Sequence, residues 1–407
     1  MADELKQLSD FIKKSRKDMI ALEKLLTSIP ALAPENGGNG EWDKVAALTK
    51  WLKDNGFTNI ERYEAPDERA KNGVRPSLIV TIPGKSDDYS LWIMSHTDVV
   101  PAGDMTAWKS DPWKVIEKDG KLIGRGVEDD QQGLVSSVFA ALSLVKNGIV
   151  PAHTVKLLFA ADEEVGSKYG IQYLIKQNLF RKQDFVIIPD GGDSKGETIE
   201  IAEKSILWLK VHTVGLQSHG SVPNKGKNAC LAAADLMLRL NDLENFYNKR
   251  DNLFDPPNST FQPTMHLQNV SGINIIPGDD VSCLDCRILP CYKLSEVLKE
   301  VRSRCDAVEK KYGVKITYET PQKEESPAPP ADSPVVKKLS AAVKKTRGIA
   351  TRTIGIGGGT VGGYLREIGI DSAVWCTIDE SCHTPNEYCI IDNIIADAET
   401  MAALMLD

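Results

Sequence analysis

No stretch of this 407-residue chain stays apolar for the length that a membrane crossing requires. Its first residues, MADELKQLSDFIKKSRKDM, hold no apolar run of signal-peptide type. Positive charge is not in excess either: 49 Lys and Arg stand against 57 Asp and Glu, a net charge of −8. That balance argues against nucleic acid as a partner. Repeats and low-complexity tracts are absent. These absences lead to the expectation of a cytoplasmic protein with no membrane partner, its eight cysteines present as reduced thiols. Cys283-x-x-Cys286 with Cys291 invites a zinc-knuckle reading, but the chain has no second Cys-x-x-Cys pair. The segment VSCLDCRIL reads as a strand, which puts Cys283 and Cys286 on opposite faces and removes that reading.

What is present describes a globular protein, 42% hydrophobic and 26% charged, long enough that two domains are the default. Helical spacing covers 3–27 and 42–55, and strand-like runs follow at 77–82 and 91–96. A loop and hairpin with Trp108 and Trp113 lead to a helix over 131–147, the strand TVKLLFAA, a helix over 168–178 and the strand DFVIIP. Strands alternating with helices predict a mostly parallel α/β sheet flanked by helices. The pattern then changes to strand 206–214, helix 227–247, strands 260–270 and 280–289, helix 294–311 and strand 314–319. That βαββαβ order is the ferredoxin-like plan, a unit able to fold as an inserted domain. The proline-rich joint Ser326–Pro330 closes it, and α/β alternation resumes over helix 334–346, TRTIGI, helix 361–368, SAVWCTI and helix 391–405. The division expected is 1–203, 204–320 and 321–407, with the outer two parts forming one domain.

The chemistry collects where the strands of the larger domain end. LWIMSHTDVV closes a strand with His96 and Asp98, two apart and therefore on one face. Such a pair suits a divalent metal or general acid/base work, and taken alone it is more often a strand-end hydrogen bond. Asp129 follows GRGVE, Glu163 and Glu164 follow the strand TVKLLFAA, Asp190 ends DFVIIP, and His383 follows SAVWCTI. In open α/β sheets that edge is where sites form. Carboxylates packed so closely would raise one another's pKa unless cations neutralise them. Charge counting suggests two ions: three ligating carboxylates and two neutral histidines offset three of four positive charges, and the remainder suits a bound hydroxide. Glu163, beside a ligand but uncoordinated, could then take a proton.

The motifs SHTDVV, GRGVEDD, ADEEVGS, PDGG and ESCHTPNEY, in this order, resemble those of the dizinc aminoacylase, carboxypeptidase G, succinyl-diaminopimelate desuccinylase and dipeptidase family of metallopeptidases. The resemblance spans nearly the whole chain. It implies one zinc on His96, Asp129 and Asp190 and a second on His383, Asp129 and Glu164, with cobalt or manganese as substitutes. It implies Glu163 as general base, Asp98 as the carboxylate orienting His96, and a cis peptide between Asp129 and Asp130. The inserted unit resembles the family's lid and dimerisation domain. There His219 would reach the active site of the other subunit of a homodimer, and Asn274 and Arg287 would grip the substrate.

Gly357-Gly358-Gly359-Thr360 follows a strand and precedes a helix, which raises a dinucleotide loop, but no ribose-binding acid follows at the right distance. The resemblance instead implies that the backbone amides around Gly358 receive a substrate carboxylate. Two positions depart from many relatives: Val361 stands where an aspartate is common, and Gln131-Gln132 where a lysine is. The reading is a dizinc hydrolase acting on the amide of a small peptide or an N-acyl amino acid with a free carboxylate. The choice between dipeptidase and deacylase is open. A non-catalytic ligand-binding protein on the same fold is the alternative, and it has no need of an intact Glu163.

Overall fold

The structure, a computed structural model, describes residues 2–267, 269–327 and 333–407. By contact the chain forms two compact units. The first comprises Met1–Ile201, Pro329–Thr353 and Tyr364–Asp407, and the second Ala202–Ala328 with Ile354–Gly363. Sequence reasoning left 354–363 with the outer parts; by contact this glycine-rich segment belongs to the second unit. Of the proline-rich joint, residues 328–330 lie outside the described residues. Among the described residues no helix is long and apolar enough to cross a membrane.

An eight-stranded sheet organises the first unit, in the order 60–66, 74–82, 153–160, 86–96, 185–193, 371–377, 198–203, 352–356. The four central strands, His153–Ala160, Ser86–His96, Phe185–Asp193 and Asp371–Thr377, run parallel. Their carboxyl ends therefore open on one edge, which is what brings distant motifs together. Central strands are apolar on both faces because helices cover both. Leu91, Trp92, Ile93 and Met94 are all buried, as are Val186, Ile187 and Ile188. The helix Gln131–Asn147 is buried along nearly its whole length, packed against the helix Ile391–Met405.

Several elements differ from expectation, among them the helix expected over 227–247, which ends at Asn241 and is followed by the short helix Leu243–Phe246. The single helix over 3–27 is two, Ala2–Lys14 and Arg16–Thr27. At the break the Ser15 hydroxyl donates to the Phe11 carbonyl at 2.9 Å, a back-bond that bends helices. The strands Ile60–Pro66 and Thr198–Glu203 carry weak sequence signals, the first because it is a largely uncovered edge strand rich in charge.

The second unit pairs its strands antiparallel in the order 260–266, 279–288, 205–214, 315–319. With the helices Ala229–Asn241 and Leu294–Tyr312 packed together, this is the ferredoxin-like arrangement. Alternate residues of Asp279–Ile288 are buried; Leu284, Cys286 and Ile288 join the core while Cys283 and Asp285 face away. Cys283 and Cys286 do lie on opposite faces.

Candidate active site

Each candidate ligand of the first unit comes from the end of a parallel strand or the loop beside it. His96 ends the strand Ser86–His96, buried to 2% exposure. Its Nε2 lies 2.8 Å from Asp129 Oδ1 and 3.9 Å from Asp190 Oδ2. His383 Nε2 lies 3.0 Å from Asp129 Oδ2 and 3.0 Å from Glu164 Oε2. Asp129 thus offers one oxygen to each histidine. Two sets of ligand-type atoms result, His96 with Asp129 and Asp190, and Asp129 with Glu164 and His383, each lying within 4.8 Å of one another. Both sets could hold a metal ion through nitrogen and oxygen donors. Glu164 Oε1 is buried with no hydrogen-bond partner among the described residues, a carboxylate oxygen that a cation would satisfy. The donor set fits two divalent ions sharing Asp129.

The electrostatics of the chain by itself are those of acids crowded out of water. Burial, with Asp129 and Asp130, pushes Asp190 well above the ordinary carboxylate range. Burial lifts Glu163 to about 8, with Glu164, Asp129 and Asp98 adding to it against His96. Burial opposes ionisation of Asp129 too, but His383 and His96 outweigh it and hold Asp129 well below the usual range. His383 rises to about 10 through its bonds to Asp129 and Glu164.

Asp98 has a second task beside the one expected. The nearest acceptor to His96 Nδ1 is the Asp98 backbone carbonyl at 3.0 Å, with the carboxylate Oδ1 at 3.5 Å. The carboxylate instead accepts the backbone N–H groups of Glu163 and Glu164, each at 3.0 Å. One residue therefore orients the histidine and fixes the turn that carries both glutamates.

Sequence reasoning missed two carboxylates that hold the loops. Glu387 accepts the backbone N–H groups of Gly126, Glu128 and Asp129 at 3.1, 3.0 and 3.2 Å, and Arg125 Nη1 at 2.6 Å. Glu128 reaches back, accepting the Asp379 N–H at 2.8 Å and the Ser381 hydroxyl at 2.6 Å. The loop carrying Asp129 and the loop carrying His383 thus hold each other through exchanged glutamates. Both residues are buried. Asp162, Glu380, His383 and Asn386 adopt positive φ near the site, uncommon for residues with a Cβ. The Asp129–Asp130 peptide is cis.

Gln131 accepts from the buried Lys44 Nζ at 3.3 Å and donates to Thr27 Oγ1 at 2.7 Å. A lysine from the helix Trp42–Asp54 thus stands beside that position.

The remaining candidates belong to the second unit. The two-stranded pairing of 218–219 with 275–276, and the bond from Gly220 N–H to the Asn274 carbonyl at 2.7 Å, bring His219 and Asn274 together, both exposed. His219 Nδ1 accepts the Ser221 backbone N–H at 3.2 Å. Arg287 forks onto Asp285 with bonds of 2.7 and 2.9 Å, and its Nη1 donates to the Gly357 carbonyl at 2.9 Å. Carboxylates border the glycine loop: Thr360 Oγ1 donates to Glu203, and a Cβ at Gly359 would stand 3.4 Å from Glu324 Oε2.

A family model described as peptidase family M20/M25/M40 matches residues 92–407. The chain belongs to that family. It is 39% identical to an uncharacterised metallohydrolase of Methanococcus maripaludis, over 95% of this chain and 98% of that one. It is 29% identical to the succinyl-diaminopimelate desuccinylase of Rickettsia typhi, over 65% of this chain and 67% of that one. Among solved structures, aminopeptidase PepT from Bacillus cereus is similar at a TM-score of 0.78 and 20% identity, covering 96% and 98% of the two chains. A dinuclear metal-binding M20 peptidase from Bacillus subtilis is similar at 0.67 and 16% identity, covering 97% and 98%. At these identities the structures speak for the fold: a large central sheet flanked by helices, as in other M20 peptidases. The M20 assignment makes the chain a metal-dependent hydrolase.

Proposed function

We propose that this M20 hydrolase cleaves the amide bond of a small peptide or N-acyl amino acid bearing a free carboxylate. The observation that carries the reading is Asp129, whose two carboxylate oxygens each face a different histidine, with Glu163 held beside them. His96, Asp129 and Asp190 would hold one divalent ion, and Asp129, Glu164 and His383 the other. Bound there, the ions, zinc first and cobalt or manganese as substitutes, would polarise the scissile carbonyl and supply a nucleophile at neutral pH. The chain's own part is proton handling and positioning. Glu163, fixed by its backbone bond to Asp98, would take a proton and deliver it to the departing amine. Asp98, Glu128 and Glu387 hold the ligand-bearing loops in register.

In the same proposal 1–203 with 321–353 and 364–407 form the catalytic domain, and 204–320, joined by 354–363, a lid. His219, Asn274, Arg287 and the amides around Gly358 contact substrate. Arg287, already paired with Asp285, would share its fork rather than offer a free one. The desuccinylase relative supports a deacylase and the fold neighbours a peptidase, so both substrate classes belong in the assay. A homodimer through the second unit is part of the reading, supported by exposed Leu231, Leu238 and Met265; sedimentation as a monomer would remove it. The cytoplasm suits its eight free cysteines.

The test is a panel of dipeptides and N-acyl amino acids, assayed after chelation and after adding back zinc, cobalt or manganese. Hydrolysis should vanish and return, with close to two ions per chain in the Asp129 centre. Full activity in a metal-free preparation would sink the mechanism.

A further inference from the structure

The ferredoxin-like unit carries a cluster that the hydrolytic site does not use. Its sheet presents an apolar face to the helices through Leu207, Leu209 and Val211 on one strand and Leu284, Cys286 and Ile288 on the next. Continued along the same faces, the residues become polar: Thr213 on the first strand, and Ser282 and Asp280 on the second. Asp280 and Thr213 are register partners and so share a face, both 1% exposed. His266 is the register partner of Ser282 on the edge strand. Over this corner begins the helix Ala229–Asn241, with Cys230 in its first turn.

The hydrogen bonding sets acceptors against one another at this corner. Ser282 Oγ donates its one proton to Asp280 Oδ1 at 3.0 Å, so at its 3.3 Å contact with His266 Nδ1 it accepts from an N–H. A neutral His266 then points the bare Nε2 lone pair at Asp280 Oδ2, 2.9 Å away. Asn269 Nδ2 also donates to Asp280 Oδ2 at 2.7 Å, and the His266 Nε2 lone pair still faces the Asp280 charge unless a positive charge lies between or beside them. Cys230 Sγ completes a set in which sulfur, nitrogen and oxygen lie within 4.8 Å of one another. Thr213 Oγ1, buried next to Asp280, has no hydrogen-bond partner among the described residues. A solvent ligand in a fourth coordination position would give that hydroxyl one.

We propose that Cys230, His266 and Asp280 bind a zinc ion in the ferredoxin-like unit. Thiolate, imidazole and carboxylate are the donors zinc takes in tetrahedral sites, and the Nδ1–Ser282 bond fixes the tautomer that leaves Nε2 free. Binding releases the thiol proton of Cys230. The ion fastens the end of the edge strand Thr260–His266 and the start of the helix Ala229–Asn241 to the strand Asp279–Ile288. Its role is to stiffen this corner.

Cobalt(II) separates this site from the Asp129 centre, whose proposed ligands include no sulfur. Titrating cobalt into the metal-free full chain should raise a near-ultraviolet sulfur-to-cobalt charge-transfer band that is complete by three equivalents and has the intensity of one cobalt–thiolate bond per chain. The band should vanish in Cys230→Ser and weaken several-fold in His266→Gln. It should persist in Cys382→Ser, which removes the thiol adjoining His383. Zinc content after gel filtration should fall by one equivalent in Cys230→Ser. If that variant does not fold, the half-exposed His266→Gln decides the matter by the same two readings. A cobalt-saturated wild type without the band, or a band unchanged by both Cys230→Ser and His266→Gln, overturns the proposal even if the Asp129 centre is fully loaded.

Discussion

Glu387 accepts the backbone N–H of Asp129 at 3.2 Å, so the residue that bridges the two ligand sets is held by a loop from the far end of the chain. The same carboxylate pairs with the buried Arg125 guanidinium. Glu387→Gln keeps the shape and removes the charge. Metal affinity at the Asp129 centre should fall by roughly 10- to 100-fold, as loss of a ligand's supporting group typically does. Competition with a chromophoric chelator measures it, and an unchanged affinity would reduce Glu387 to a packing residue.

The two adjacent glutamates should separate cleanly. Glu164 faces His383 and carries a partnerless oxygen, whereas Glu163 is the acid lifted to about 8. Glu163→Gln should retain metal and lose on the order of a hundred-fold or more in kcat. Glu164→Gln should lose close to one metal equivalent instead. The reverse pattern in metal analysis and turnover would exchange their roles.

Without metal, the site makes stability depend on pH. Glu163 is raised from 4.5 to about 8 by burial, and His383 from 6.5 to about 10 by Asp129 and Glu164. A raised group contributes stability that is complete below its unfolded pKa and fades as pH climbs through the folded value. The metal-free melting temperature should therefore fall between about pH 6 and about pH 8. Lys44, lowered to about 8 by burial, works in the opposite sense only above that pH. Metal needs its ligands, His383 among them, deprotonated, so the gain in melting temperature on adding zinc should widen over the same interval. A metal-free melting temperature that climbs from about pH 6 to about pH 8 contradicts this account.

Arg287 and Gly358 test carboxylate recognition. Arg287→Ala should cost free-acid substrates about 1.5–3 kcal/mol more than the corresponding amides, the worth of hydrogen bonds to a charged group. A Cβ at Gly358 would meet only Ile356 Cδ1 at 3.8 Å, so Gly358→Val should fold and still obstruct the loop's amides. Equal losses in kcat/KM on acid and amide substrates would assign Arg287 to holding Asp285 and Gly357.

That His96, Glu163, Glu164 and Asp190 come together was legible because an apolar run that stops at an acid or a histidine marks a strand end, whereas Asp129 and His383 stand in loops and were picked out by their motifs. Parallel strands then collect those ends on one edge. The βαββαβ order was legible for a similar reason, since its elements have clear periods. Glu128 and Glu387 were not, although both lie inside quoted motifs. Their partners are mostly backbone N–H groups, which every residue but proline has, so no pairing shows in the sequence. The split at Ser15 hid because Leu5, Leu8, Ile12 and Ile20 keep helical spacing across it. Cys230, His266 and Asp280 were invisible as a set, because they come from a helix and two strands whose register only folding supplies.

The glutamate exchange also bears on how the protein is made. Glu128 and Glu387 are 259 residues apart, and neither loop is held until both have left the ribosome. Strands bearing His96, Glu164 and Asp190 emerge much earlier, but the bridging Asp129 waits for the C-terminal segment before its loop is gripped. A nascent chain arrested short of Glu387 would hence present most of the ligands without a settled centre. Metal capture becomes an event that follows completion of the polypeptide.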